Sequence, residues 1–277
     1  MNHFDYLLSH FFTHKDFLPP PRQIPGTIFT PLHYGFAALL LGIIFLGGLW
    51  VIRHPKKIRP VLMGVWLTMV IWEPVIVLWD SVAGPVNAFD LQTSLSLYPC
   101  SIYLYAMPFL FWGSGRLKQM ASGYLCTLGL LGASINFLYP ATRLVTYSCI
   151  SFPGLHTFCF HGAMLFTCVV LLGSGQHRYQ ARSLGDLMAP SIFSLILSVP
   201  ANLVNYSPID ADYMFFKGRI FPLNAIFADA SPETVTVILY VLYIAVPALF
   251  YIPSYLRHRA RVRQAEEARE AYLANFI

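Results

Sequence analysis

Apolar residues run in blocks of about twenty along most of this chain, separated by short polar or basic connections. A helix that crosses the hydrocarbon core of a bilayer needs roughly 20 apolar residues. Seven blocks meet that length: Leu32–Ile52, Val61–Trp79, Leu95–Gly113, Met120–Tyr139, Phe152–Gly173, Leu187–Tyr206 and Val235–Tyr255. The first is unbroken, and the second nearly so despite Glu73. The fourth and sixth are richer in Gly, Ser and Asn, which suits helices packed inside a bundle where backbones approach closely. The pattern predicts an all-α, polytopic seven-transmembrane helix bundle.

The flanks divide the chain further. Phe4–Phe17 mixes Phe, Leu and Tyr with polar positions, the pattern of a helix lying in the membrane interface. Pro19, Pro20 and Pro21 then end it. Beyond the last block, Arg257–Ala271 reads as a basic, then acidic, amphipathic tail. Residues 1–31 are thus an interfacial helix with a proline-rich link, 32–256 the membrane domain, and 257–277 the tail.

Basic residues give the orientation. Arg53, Lys56, Lys57, Arg59, Arg116, Lys118, Arg178, Arg182, Arg257, Arg259, Arg261, Arg263 and Arg269 fall on one side of the seven blocks. Lys15, Arg22, Arg143, Lys217 and Arg219 fall on the other. Positive connections stay in the cytoplasm, so the N-terminus is expected outside and the C-terminus inside, in a multi-pass protein of the cell membrane. An even number of crossings would spoil this partition.

Composition agrees with a lipid environment. Of 277 residues, 56% are hydrophobic and only 11% charged, against about a quarter charged in soluble domains; the mean hydropathy is +0.58. The net charge of +5 belongs to segment ends, so no nucleic-acid partner is expected. Five cysteines without a C-x-x-C pair argue against a disulfide framework or structural zinc, and no metal is assigned. The N-terminus lacks the features of a signal peptide. No nucleotide, flavin or P-loop motif is present, so no cofactor is expected.

Polar side chains inside spans are costly and by default mark function. At a rise of ~1.5 Å per residue, Glu73, Cys100, Asn136, His161 and Asn202 all fall roughly 5–15 Å below the outer boundary. Five blocks therefore contribute to one layer, with no comparable set in the inner half. Ser191, Ser194, Ser198, Asn202 and Asn205 recur at intervals of three and four and form a polar stripe, expected to face the interior or a wet cavity. His156 and His161 differ by five positions, about 140° around a helix, so they are not expected to face one point. His161, the deeper, is taken as the functional one and His156 as a rim residue. A thiol becomes a nucleophile when a histidine takes its proton, which gives Cys100 a role that Cys126, Cys159 and Cys168 lack. Glu73, before Pro74, is placed to orient His161 or to hold a proton. Asp210 and Asp212, in the loop after the sixth block, cap the cavity, bind a headgroup or serve as solvated turn residues.

Leu97-Tyr98-Pro99-Cys100-Ser101-Ile102, Asn136-Phe137-Leu138-Tyr139-Pro140, His161-Gly162 and the run from Asn202 to Tyr213-Met214 occur in this order. Together they resemble the YwaF-type family of bacterial integral membrane proteins, related to vertebrate transmembrane protein 164, over roughly Val61 to Tyr255. The resemblance implies a lipid acyltransferase that moves a fatty acyl chain onto ether lysophospholipids with an intramembrane Cys and His. By position these are Cys100 and His161. Where many bacterial members carry a His near the Cys, Tyr98 and Pro99 stand here. The expected catalytic set is Cys100, His161 and Glu73. Asn136, His156, Asn202, Asn205, Tyr98 and Asp212 are expected to contact substrate, and the partners are membrane phospholipid and lysophospholipid. A small-molecule transporter or channel, and a metal-dependent membrane lipid hydrolase drawing on His156, His161, Cys100 or Asp212, are the alternatives.

Overall fold

A computed structural model describes residues 3–85, 89–139, 145–220 and 222–274, so Pro140 and Arg143 lie outside the described residues. In chain order the helices are α1 (His3–Ser9), α2 (Pro31–Arg53), α3 (Pro55–Ala83), α4 (Ile102–Trp112), α5 (Gly115–Leu125) and α6 (Leu128–Leu138). There follow α7 (Phe152–Gly173), α8 (Leu184–Met188), α9 (Ile192–Asn205), α10 (Leu223–Ile226) and α11 (Pro232–Ala274). No strand occurs among the described residues.

Among the described residues, six stretches are long and apolar enough to cross a membrane: α2, α3, α5 continuing into α6, α7, α8 continuing into α9, and α11. Local chemistry sets where they begin. Thr30 accepts the His33 N–H at 3.3 Å ahead of Pro31, and Ser151 accepts the Gly154 N–H at 3.2 Å ahead of Pro153. Both satisfy donors that a helix start leaves unpaired, and proline is tolerated there because its missing N–H costs nothing. Ser183 and Asp186 form a capping box before α8.

Helix α7 is the most enclosed, packed by α2, α6 and α3. Its contact with α2 is close enough that a Cβ on Gly48 would stand 2.8 Å from Val169 Cγ1. By contrast α2 and α3 present Leu39, Leu46, Ile71 and Leu78 outward, as lipid-facing helices do. The polar stripe of α9 turns inward: Ser191, Ser194, Ser198 and Asn205 are buried.

Two segments depart from the sequence expectation. The interfacial helix over Phe4–Phe17 is reduced to α1. The chain after it leaves helical geometry because it is drawn onto the bundle: Phe11 O accepts the Phe152 N–H at 3.0 Å and the Lys15 N–H donates to Tyr147 Oη at 3.0 Å. The third block is a helix only from Ile102, with residues 91–101 in turns. Tyrosine hydroxyls satisfy that irregular backbone: Tyr213 accepts from Leu95 N–H (2.9 Å) and donates to Leu91 O (2.7 Å), Tyr105 donates to Ser96 O (3.0 Å), and Tyr124 donates to Pro99 O. Helix α11 runs on through Arg257–Ala271 without a break.

Candidate functional site

A cavity of about 500 Å³ opens at the end of the bundle away from Arg53, Lys56 and Lys57. One wall is a face of α3, with Glu73, Ile76, Val77 and Asp80 at helical spacing. The turns of 93–101 bring Tyr98, Cys100 and Ser101, and α7 brings His156, Thr157, Phe160 and His161. Lys15, Tyr147, Asp212 and Arg219 are contributed by the N-terminal segment and two loops.

The start of α7 is fixed by a backbone crossing. A Cβ on Gly154 would lie 2.0 Å from Ser148 O, so only glycine lets the helix begin this close to the preceding loop. One turn on, the rings of Trp72 and Phe160 stand 5.6 and 5.8 Å from that of His156. His156 and His161 are equally buried, each 8% exposed. Residues 156, 157, 160 and 161 cover an arc of about 140°, and the cavity is wide enough to meet all of it. Both histidines therefore line the cavity, although they do not face one point of it.

The partner of Glu73 is also not the expected one. Glu73 Oε2 lies 3.1 Å from His156 Nε2, a close but poorly aligned contact, and Oε1 accepts from Ser96 Oγ at 3.0 Å. The reason is depth, since His161 sits about 7–8 Å further along the helix axis. His161 instead points Nδ1 at its own helix, 2.8 Å from Thr157 O. A carbonyl only accepts, so Nδ1 carries the proton and Nε2 of the neutral ring keeps its lone pair.

The remaining candidates separate into two groups. Tyr98 lines the cavity, its ring 5.1 Å from that of Tyr213. Asp212 lines it too, while its carboxylate accepts the N–H groups of Lys217 (2.7 Å) and Arg219 (2.9 Å); burial raises its carboxyl above the usual range. Asp210 is engaged by Arg219 at 2.8 and 2.9 Å and by Lys217, which lower its carboxyl to about 2. Asn136, Asn202 and Asn205 are not among the lining residues. Asn202 donates to Tyr240 Oη at 2.9 Å, and Asn205 brackets the backbone of Tyr213 through both ends of its amide, at 2.8 and 2.7 Å.

A model of the TMEM164 family matches residues 28–252. The chain belongs to the TMEM164 family. The match spans every stretch that carries the resemblance to transmembrane protein 164 and all the cavity helices. Searches of curated proteins and of solved structures return no match.

Sequence reasoning missed Thr157, Phe160, Asp80 and Lys15 as neighbours of the site. The i, i+4 pairing of His156 with Phe160 and of Thr157 with His161 was the available signal for the α7 residues. Nothing local marks Lys15, which arrives through the fold of the N-terminal segment. Among the described residues no group of three or more His, Cys, Asp or Glu is arranged to hold a metal ion, so the metal-hydrolase reading has no ligand set there to rest on.

Proposed function

We propose that this TMEM164-family protein is a membrane-embedded lipid acyltransferase, independent of acyl-CoA, that works through a thioester on Cys100. One observation carries the reading: a single cavity is lined by a thiol, by an imidazole with its lone pair on Nε2, and by a second histidine 3.1 Å from a carboxylate. The activity implied by the family resemblance needs that chemistry.

His161 Nε2 takes the Cys100 proton, and the thiolate attacks the carbonyl carbon of a phospholipid ester. The tetrahedral intermediate collapses with cleavage of the C–O bond, His161 returns the proton to the leaving lysophospholipid oxygen, and a thioester remains. An acceptor lysophospholipid hydroxyl then gives its proton to His161 and attacks the thioester carbonyl. The new ester forms, the C–S bond breaks, and the thiolate is released. Charge on the intermediate's oxygen requires donors that line the cavity. Ser101, beside Cys100, lines the cavity and its hydroxyl fills that role, which the asparagines, absent from the lining, do not.

The site belongs to the outer leaflet on the topology that we favour. Ser96 meets Glu73 near the cavity, Leu104 O accepts from Trp66 Nε1 at 3.0 Å, and the Phe109 ring lies 5.3 Å from Phe193 near the start of α9. Residues 89–112 thus run from the cavity end to the basic end, a seventh crossing made half of turns and half of α4. Non-helical backbone is tolerated at such depth only where it is buried in protein or lines a cavity. The basic connections then face the cytoplasm, and below the cavity Tyr103, Met107, Met164 and Leu171 fill the bundle, unlike the two-sided path of a channel.

The test is intact-protein mass spectrometry after incubation with phosphatidylcholine and a lysophospholipid, alongside an acyl-transfer assay. An acyl adduct on Cys100, labile to hydroxylamine and absent from Cys100→Ala, is expected. His161→Ala should lower transfer by about 10²–10⁴-fold, the usual contribution of a general base. Undiminished transfer by Cys100→Ala sinks the proposal.

A further inference from the structure

At the opposite end of the molecule lies a second concavity, of about 460 Å³, that the acyltransferase reading does not use. Two elements build it. Ser254, Arg257, His258 and Arg261 share one face of α11 by their i, i+3, i+4 and i+7 spacing, and Arg178 and Arg182 face them from the connection between α7 and α8. None of its lining residues is acidic. Asp186, in the first turn of α8, is occupied in accepting the N–H groups of Arg182 (2.8 Å) and Ser183 (3.0 Å). Four guanidinium groups therefore converge without a counter-charge in the wall.

The frame that holds them is already ordered. The Ala181 N–H donates to Ser254 Oγ at 3.2 Å, which ties the connection to α11. Tyr179 Oη donates to Cys126 O at 2.6 Å, and Arg257 Nε donates to Pro253 O at 3.1 Å. Arg257 is thereby oriented with its terminal nitrogens left over. Converged like charges repel one another, and no group in the wall relieves that. An anion can, and the planar forks of arginine match phosphate oxygens in pairs.

We infer that this pocket binds a phosphate-bearing anion, and that an acidic phospholipid headgroup is its natural source. The surroundings favour a lipid. The pocket lies where α11 passes from its apolar stretch into its charged one, and Leu184, two residues beyond Arg182, is 67% exposed. An acyl chain would lie against that leucine while the phosphate sits among the arginines. Basic pockets between membrane helices recognise headgroups in this way.

The experiment uses the full chain in nanodiscs or detergent and reads binding of phosphatidylglycerol, phosphatidylcholine and inorganic pyrophosphate separately, by native mass spectrometry and by the shift in unfolding midpoint. Phosphatidylglycerol should bind at least tenfold more tightly than phosphatidylcholine. Arg178→Gln/Arg261→Gln should remove that preference, while Arg263→Gln/Arg269→Gln, which loses the same charge from the tail, should keep it within twofold. Arg178→Lys/Arg261→Lys guards against a folding defect, since it keeps the charge and should weaken binding by an intermediate amount. Pocket-dependent binding of pyrophosphate without a phosphatidylglycerol preference would uphold the phosphate site and overturn its lipid source. Equal binding of all probes by wild type and Arg178→Gln/Arg261→Gln would overturn the site itself. Neither result depends on acyl transfer.

Discussion

At the scale of single residues, the side chains near the cavity divide by what already occupies their polar atoms. Asn205 has nothing left to offer a ligand, because its amide is committed to the Tyr213 backbone. Asn205→Ala should strand a buried N–H and a buried C=O and cost about 2–4 kcal/mol, as two orphaned groups of this kind usually do, with the loss visible in the unfolding midpoint. Asn202→Ala, which loses one bond to Tyr240, should lower that midpoint less and leave the transfer rate within about twofold, well under the 1.4 kcal/mol that a tenfold change requires. Glu73 differs, since its two oxygens connect Ser96 of the irregular stretch with His156 of α7. Glu73→Gln preserves volume and the Ser96 contact but removes the charge facing His156. We expect transfer to slow roughly tenfold or more, about 1.4 kcal/mol of barrier, with the Cys100 adduct still forming and the unfolding midpoint unmoved. A midpoint that fell in step with the rate would show that Glu73 only holds the fold. Cys100, His161 and Glu73 were legible in the sequence because ionisable or nucleophilic groups at matching depth are rare in apolar blocks. Which histidine Glu73 meets was not, since helix rotation and axial offset are set by packing rather than spacing.

At the scale of elements, the long helices were legible and the broken one was not. Block length and hydropathy define α2, α3, α7 and the spanning part of α11, because lipid demands an uninterrupted apolar helix. Leu95–Gly113 has the same composition, yet its first half is turns. Its backbone is satisfied by Tyr105, Tyr124 and Tyr213, of which the last two lie on other elements, a compensation that no window of its own sequence contains. His177 shows a second long-range tie, between α5 and α11: Nδ1 lies 3.0 Å from Ser122 Oγ and Nε2 3.0 Å from Tyr251 Oη. Burial lowers its pKa from the usual 6.5 to about 4. The unfolded chain therefore takes up the proton first as pH falls. The stabilisation is whole above pH 6.5 and is lost progressively down to about pH 4, and at pH 5 roughly 2 kcal/mol should be gone. Unfolding midpoints at pH 7.5 and 5 should show that loss, and His177→Gln should flatten the part of the curve between them. A wild-type midpoint that rises on acidification would contradict this account.

At the scale of the whole molecule, chemistry is divided between two ends: a cavity with Cys100, His156, His161 and Glu73 at one, an arginine-lined pocket at the other. Which end meets which leaflet depends on the parity of crossings, and parity turns on residues 89–112 alone. If this stretch crosses, Lys57, Arg116 and Arg269 share one face of the membrane while Asp90 and Asp229 share the other. If it dips and returns, Arg116 moves to the face of Asp90, and Asp229 moves to the face of Lys57. The thirteen-to-five partition of basic residues would then dissolve, against the retention of positive connections in the cytoplasm. Single cysteines placed at these five positions, in a chain whose own five cysteines are replaced by alanine, separate the two arrangements. In intact cells a membrane-impermeant maleimide should label Asp90→Cys and Asp229→Cys, while Lys57→Cys, Arg116→Cys and Arg269→Cys should react only after permeabilisation. Labelling of Arg116→Cys in intact cells would leave six crossings, put the Glu73 end of α3 and the His156 end of α7 on opposite faces, and so overturn the shared cavity together with its outer-leaflet assignment.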